Sequence, residues 1–296
     1  ALLGQLRDQR RPVQDDPFML YNTEPLSTER IEHGEIPEPD AALADIRAAA
    51  GGRDLVGIYA AGDTYSGFAN SLGQRNWFQS ATFNLDWCFY LRADKAAKNL
   101  YAGFEWDDDA FAAKVDWSTR QLAALERDPI ELTPGEYRTY LAPRAVEEVT
   151  QLLSWYGAFG RRAHETRQTP LLKMLVDDVT LSPLVNIAED TAGGVAPNFQ
   201  SAGFVRPDRV PLVVHGVYED TLVSPRSAEE YGVATNGAGD HEQPESLSIT
   251  PGSIPTDRVD AALGTGLYVG NLWYLNFSDQ AACRTTGMTR FAPFWM

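Results

Sequence analysis

Apolar and polar positions alternate most strongly between Asn76 and Leu91 (NWFQSATFNLDWCFYL). Period two puts Phe78, Ser80, Thr82 and Asn84 on one face, which predicts β structure. The segment exceeds a typical strand, so a hairpin or a bent strand is expected. Asp54–Ala61 (DLVGIYAA) reads as a buried strand, Asp63–Gly67 as a turn and Lys98–Trp106 as a further strand. Two helices flank this region. One runs from Asp40 to about Ala50, with Pro39 near its start and Gly51-Gly52 at its end. The other opens at Asp107-Asp108-Asp109 and runs to about Arg127, with Phe111, Val115, Leu122 and Leu125 on one face; its acidic start suits the helix dipole. Residues 1–38 are polar, punctuated by Pro12, Pro17, Pro25 and Pro37, and show no clear period.

Pro129 and Pro134-Gly135 break the chain. The expected organisation is an N-terminal α+β domain over 1–134 and a β-rich C-terminal domain over 135–296. The second half begins with a strand at Tyr137–Leu141 and a helix from Pro143, whose apolar face carries Val146, Val149, Leu152 and Leu153. After Val176 short strands are expected at Val185–Ala188, Val210–Val217, Leu247–Ile249, Gly266–Asn276 and Thr285–Phe294, with loops over 189–209 and 234–246. The fold class is therefore α+β: a mixed α/β half followed by a mostly antiparallel half with few helices.

Charge narrows the partners. The 296 residues hold 25 Lys+Arg against 41 Asp+Glu, a formal net charge of −16. Phosphate backbones and anionic membranes need a basic face, so neither nucleic acid nor a membrane surface is an expected partner. With 44% hydrophobic and 22% charged residues the composition is globular. No apolar run reaches the ~18 residues that span a bilayer. Cys88 and Cys283 are too few for a disulfide framework or a four-thiolate zinc site, which suggests a reducing, cytoplasmic setting. A start at Ala1 and an end at Phe294-Trp295-Met296 read as cut termini.

The chemistry-bearing residues form no convincing set by spacing. His164-Glu165 lacks the second histidine of a zincin helix. His215 and Glu219 are four apart, but on a strand that is ~13 Å. His241-Glu242 lies in a Gly- and Asp-rich loop, and His33 in an acidic stretch. Asp107–Asp109 lacks the spaced ligands of a calcium loop. Asp177-Asp178 and Glu189-Asp190 are carboxylate pairs of the kind that 41 acidic residues produce by chance. There is no G-x-S-x-G elbow and no P-loop. Gly264-Thr-Gly266 leads into a strand, so it places no helix N-terminus against a phosphate. The seven tryptophans mostly sit in strand patterns, where packing is the usual role.

Several stretches form an ordered set. They are Asn70-Ser-Leu-Gly73 before the long aromatic strand, and Gly135-Glu-Tyr-Arg-Thr-Tyr-Leu-Ala-Pro143-Arg-Ala-Val146. Further on come Val214 to Asp220 leading to Ala234-Thr-Asn-Gly-Ala238, Leu247-Ser-Ile-Thr-Pro251-Gly252, and Gly266 to Tyr274 with Thr286 to Arg290. Together they resemble the TldD/PmbA family, also called TldD/TldE, over about residues 55–296. The resemblance implies a cytoplasmic two-subunit system, with an older label concerning DNA gyrase, that cleaves unfolded or leader-type peptides. In the TldD-type subunit an H-E-x-x-x-H helix holds zinc, and its Glu serves as base. Counted from Pro143, those positions fall at about Gln151, Leu152 and Tyr156, none of which can play its role. The resemblance therefore implies a TldE/PmbA-like, non-catalytic subunit without a cofactor of its own. Its expected partners are a zinc-bearing TldD-like peptidase subunit and an extended peptide. His215, Tyr218, Trp273 and Tyr274 are candidate groove residues. Two other readings stay open: an independent metal-dependent hydrolase built from His215, His241 and nearby carboxylates, and a peptide-binding homodimer.

Overall fold

The structure is a computed structural model that describes residues 2–10, 12–92, 95–289 and the backbone of 294–295. It is α+β, as expected, with largely antiparallel sheets. The first half contains α1 (Leu2–Arg10), β1 (Thr28–Glu32), α2 (Pro39–Ala50), β2 (Asp54–Ala69), β3 (Arg75–Arg92), β4 (Lys95–Gly103) and α3 (Asp108–Leu125). β3 is the axis of its sheet. β2 pairs antiparallel along it from Asp54↔Tyr90 to Ala69↔Arg75. On the other edge, β1 pairs parallel with Asn76–Ser80, and β4 pairs antiparallel from Phe83 onward.

This topology corrects several sequence expectations. Of the hairpin and the bent strand expected over Asn76 to Leu91, the hairpin is excluded: β3 is a single 18-residue strand. Its buried side changes midway. Asn76, Phe78 and Ser80 are buried in the first half, but Phe83, Leu85, Trp87 and Phe89 in the second. Each half has its own cover. The second half packs with Ile46 of α2 and with Phe111, Val115 and Leu122 of α3. Near the first half, Gln74 donates to the Gly203 carbonyl at 2.7 Å, and Arg30 lies over the Phe78 ring. Asp63–Gly67 is strand interior rather than a turn, held by the register from Asp63↔Ala81 to Gly67↔Trp77. The turn follows Asn70, whose Oδ1 accepts from the amides of Leu72 and Gln74 at 3.0 and 3.1 Å. Residues 1–38 hold α1 and β1, which lack a periodic signature. β4 begins and ends three residues before the expected strand over Lys98–Trp106. At α3, Asp107 accepts from the Ala110 amide at 2.8 Å, so this part of the acidic run is a helix cap.

The second half contains β5 (Thr139–Leu141), α4 (Pro143–Trp155), α5 (Arg161–Glu165), α6 (Leu172–Val176), β6 (Ile187–Glu189), β7 (Val210–Val214) and β8 (Val217–Tyr218). It continues with α7 (Pro225–Tyr231), β9 (Leu247–Ile249), α8 (Val259–Leu263), β10 (Gly266–Val269), β11 (Trp273–Asp279), β12 (Arg284–Met288) and β13 (Phe294–Trp295). One sheet runs β8-β7-β6-β9 and another β13-β10-β5, in which β5 and β10 are parallel; β11 and β12 form a two-stranded ribbon. The expected strand over Val210–Val217 breaks at His215 and Gly216, whose φ angles of 49° and 78° make a two-residue hairpin turn. The expected strand over Gly266–Asn276 divides into β10 and β11. That over Thr285–Phe294 crosses residues 290–293, which lie outside the described residues. α7 was not expected, although Ser224, Pro225 and Gly232 form an ordinary start and stop: the Ser224 hydroxyl accepts from the Ser227 amide, and Gly232 is left-handed at φ 66°.

Candidate functional site

Pro143 stands in the first turn of α4, where its fixed φ suits a helix start. From there the helix turns Val149 and Leu152 toward the β11–β12 ribbon. Together with Leu272, Leu275, Met288 and Thr289 they line a groove of about 280 Å3. Leu152 is buried, while Gln151 one position earlier is exposed. Tyr156 ends the helix. Its hydroxyl donates to Asn276 Oδ1 at 2.9 Å, and its ring meets Phe277 edge-on at 5.0 Å. Gln280 adds a clamp from the ribbon, donating to the Gln168 carbonyl at 2.6 Å. The three positions to which the resemblance assigns a zinc motif thus offer an exposed amide, a buried alkyl group and a hydrogen-bonded phenol. That donor set does not fit zinc. Among the described residues no group of three His, Cys, Asp or Glu side chains could hold a metal ion.

The ribbon carries a bulge. Trp273 pairs with Met288 and Asn276 with Thr286, so Tyr274 and Leu275 stand opposite Gly287 alone. A Cβ on Gly287 would come within 2.6 Å of Leu275 Cδ2, so the position leaves room for that side chain. Tyr274 has φ 53°, an uncommon conformation for a residue with a Cβ. Neighbours in a regular strand point to opposite faces. Here the Trp273 and Tyr274 rings lie side by side, 5.8 Å apart and 25° from parallel. Both are exposed, at 42% and 73%. β12 is exposed throughout, and among the described residues it pairs with β11 alone. An apolar groove, an aromatic pair and a strand edge without a partner strand among the described residues lie on this ribbon. Such an arrangement can take an extended peptide by adding it as a strand.

His215 and Tyr218 do not join it, because they belong to the β7–β8 hairpin. His215 is exposed in its turn, and its amide donates to Asn186 Oδ1 at 2.9 Å. Tyr218 is a core residue whose hydroxyl donates to the Ala158 carbonyl at 3.1 Å. His164 Nε2 lies 3.2 Å from the same carbonyl, with its ring 4.5 Å from Tyr218. Burial pushes the Tyr218 phenol up and the His164 imidazole down, because it disfavours the charged form of each. His241 is exposed beside Glu242, which is buried. Glu242 accepts from the Arg162 amide at 2.7 Å and from the Ser224 amide and hydroxyl at 2.9 Å, joining the starts of α5 and α7. Sequence reasoning missed this role and the Asn276 contact, because in each case the partner lies 18 to 120 positions away.

Residues 134–296 match the family model described as the PmbA/TldA metallopeptidase C-terminal domain. That is more than half of the chain, and the chain belongs to the PmbA/TldD family. Its fold is also that of solved structures at 14% identity. A candidate modulator of DNA gyrase from Bacteroides thetaiotaomicron matches with a TM-score of 0.68, over 97% of this chain and 72% of that one. TldE from Thermococcus kodakarensis matches with a TM-score of 0.63, over 91% and 66%. A similar candidate modulator from Thermotoga maritima matches with a TM-score of 0.66, over 88% and 64%. No curated protein matches the chain. Among the described residues no helix is long and apolar enough to cross a membrane.

Proposed function

We propose that this chain is a TldE/PmbA-like, non-catalytic subunit of a cytoplasmic peptide-processing assembly. It pairs with a TldD-like zinc peptidase and holds an unfolded or leader-type peptide in extended form on the β11–β12 ribbon. The zinc and the attacking water belong to the partner. One observation carries this reading: the helix face to which the zinc motif would belong is committed to packing, with Leu152 buried and Tyr156 bonded to Asn276. The likeness in fold to TldE supports it. The bulge at Tyr274 supports the peptide-holding role, since bulges re-aim side chains at sites of contact.

The test is co-expression with a TldD-like subunit from the same genome. The expected result is a complex that cleaves an unstructured peptide, while this chain alone does not. Hydrolysis by this chain alone, or no association between the two, overturns the reading.

A further inference from the structure

A second cavity, of about 470 Å3, lies where the first half of the chain meets the second. β4 and α3 supply one wall, and β5, the start of α4, α8 and β10 the other. Its apolar surface comes from Leu100, Trp117, Tyr140 and Tyr268. The aromatic rings brace one another: Tyr140 stacks on Tyr268 at 5.5 Å, and the Trp117 indole donates to the Tyr268 hydroxyl at 2.8 Å. A preformed apolar wall of this size suits a small ligand.

Charge identifies the kind of ligand. Three lining residues are cationic, Lys98, Lys114 and Arg144, and among the described lining residues none is acidic. Carboxylates outside the lining, Asp86, Glu147 and Glu148, neutralise two of the three. Two of the cations are already engaged. Lys98 pairs with Asp86 at 3.2 Å, and Arg144 with Glu147 and Glu148 at 2.7 and 2.8 Å. Lys114 is different. It is half-buried, and among the described residues no carboxylate lies within 4.0 Å of its ammonium, which sits over the Tyr101 ring, 5.9 Å from its centre. A half-buried ammonium without an anion beside an aromatic cavity is a costly arrangement that a bound anion relieves.

We infer that this cavity binds a small apolar carboxylate, with the carboxylate against the Lys114 ammonium and the apolar body against Leu100, Trp117 and Tyr140. The site is separate from the ribbon and does not depend on the assembly reading. The same chemistry occurs in a free aromatic acid and in the C-terminus of a peptide that ends in an apolar residue.

Isothermal titration with N-acetyl-L-phenylalanine and with its amide tests the inference. The acid is expected to bind saturably and the neutral amide about tenfold more weakly, as a charge-assisted contact requires. Lys114→Met is expected to erase that difference without lowering the melting temperature, since it removes an unpaired charge. Ala113→Phe, at the exposed α3 position that lines the cavity, is expected to block both ligands. A pentapeptide ending in phenylalanine, with free or amidated terminus, separates the sources: binding of the free form alone assigns a peptide terminus, and binding of neither assigns the small acid. Equal binding of acid and amide, or an acid preference that survives Lys114→Met, overturns the inference.

Discussion

The Tyr156 hydroxyl donates to Asn276 Oδ1 at 2.9 Å, and this bond ties the end of α4 to the ribbon that follows 120 residues later. One turn back, Leu152 is buried between the same two elements. The helix face therefore contributes packing, and changes there register as stability before they register as chemistry.

Leu152→Glu is accordingly expected to destabilise the chain by about 3 kcal/mol or more, because it buries a carboxylate without a partner. Leu152→Met, which conserves volume, is expected to cost less than about 1.5 kcal/mol. Urea denaturation of the three proteins measures both. A Leu152→Glu chain as stable as the parent would mean that the helix face is free.

Tyr274 separates stability from peptide contact. At φ 53° a glycine carries no Cβ strain, so Tyr274→Gly is expected to leave stability unchanged or raise it by up to about 1 kcal/mol. The same change removes half of the aromatic pair. Binding of an unstructured peptide, followed by fluorescence anisotropy, is expected to weaken several-fold. Unchanged peptide affinity would show that the pair makes no contact with the peptide.

Glu242 is the most connected buried carboxylate of the second half, accepting two amides and one hydroxyl. Glu242→Ala leaves those donors without an acceptor and is expected to cost about 3 kcal/mol. Glu242→Gln, which aims an amide nitrogen at one donor, is expected to cost somewhat less. Thermal melts rank the pair, and hydrogen exchange at the starts of α5 and α7 is expected to accelerate in both.

A buried carboxyl and a half-buried imidazole give the stability opposite dependences on pH. Burial raises the Glu189 carboxyl above its ordinary value of 4.5. Just above pH 4.5 the folded chain keeps a proton that the unfolded chain releases, so this contribution weakens as pH rises through the window. Glu189 Oε2 is buried without a hydrogen-bond partner, and this desolvation disfavours the charged form. Glu189→Gln is expected to abolish that slope. Burial lowers the His164 imidazole below its ordinary 6.5. Below pH 6.5 the unfolded chain takes up a proton first, so stability falls as pH drops toward the folded value. His164→Gln is expected to remove this second slope. Denaturation midpoints between pH 4 and 8 for the parent and both variants check the signs.

Much of the fold was legible in the sequence because local signals agreed with tertiary ones. Pro39 with Gly51, and the acidic start at Asp107, marked α2 and α3 to within a residue or two. The alternation after Asn76 marked β3, although not its unbroken course, which depends on the distant partners that cover each half. Asp63–Gly67 has turn-like composition, yet pairing with Trp77–Ala81 overrides it. His215 was expected on a strand because the apolar run continues past it; the Gly216 that follows makes the tight turn available. At the ribbon, Trp273 and Tyr274 were recognisable as candidates by type. Their stacking was not, because the bulge that aligns them comes from the register with Met288 and Thr286.

The zinc content of the isolated chain tests the central claim most directly. After purification in zinc-containing buffer and exhaustive dialysis, elemental analysis is expected to find far less than one equivalent per chain. The complex with a TldD-like subunit is expected to retain about one zinc, bound by that partner. One tightly held zinc per isolated chain would contradict the assignment as a non-catalytic subunit.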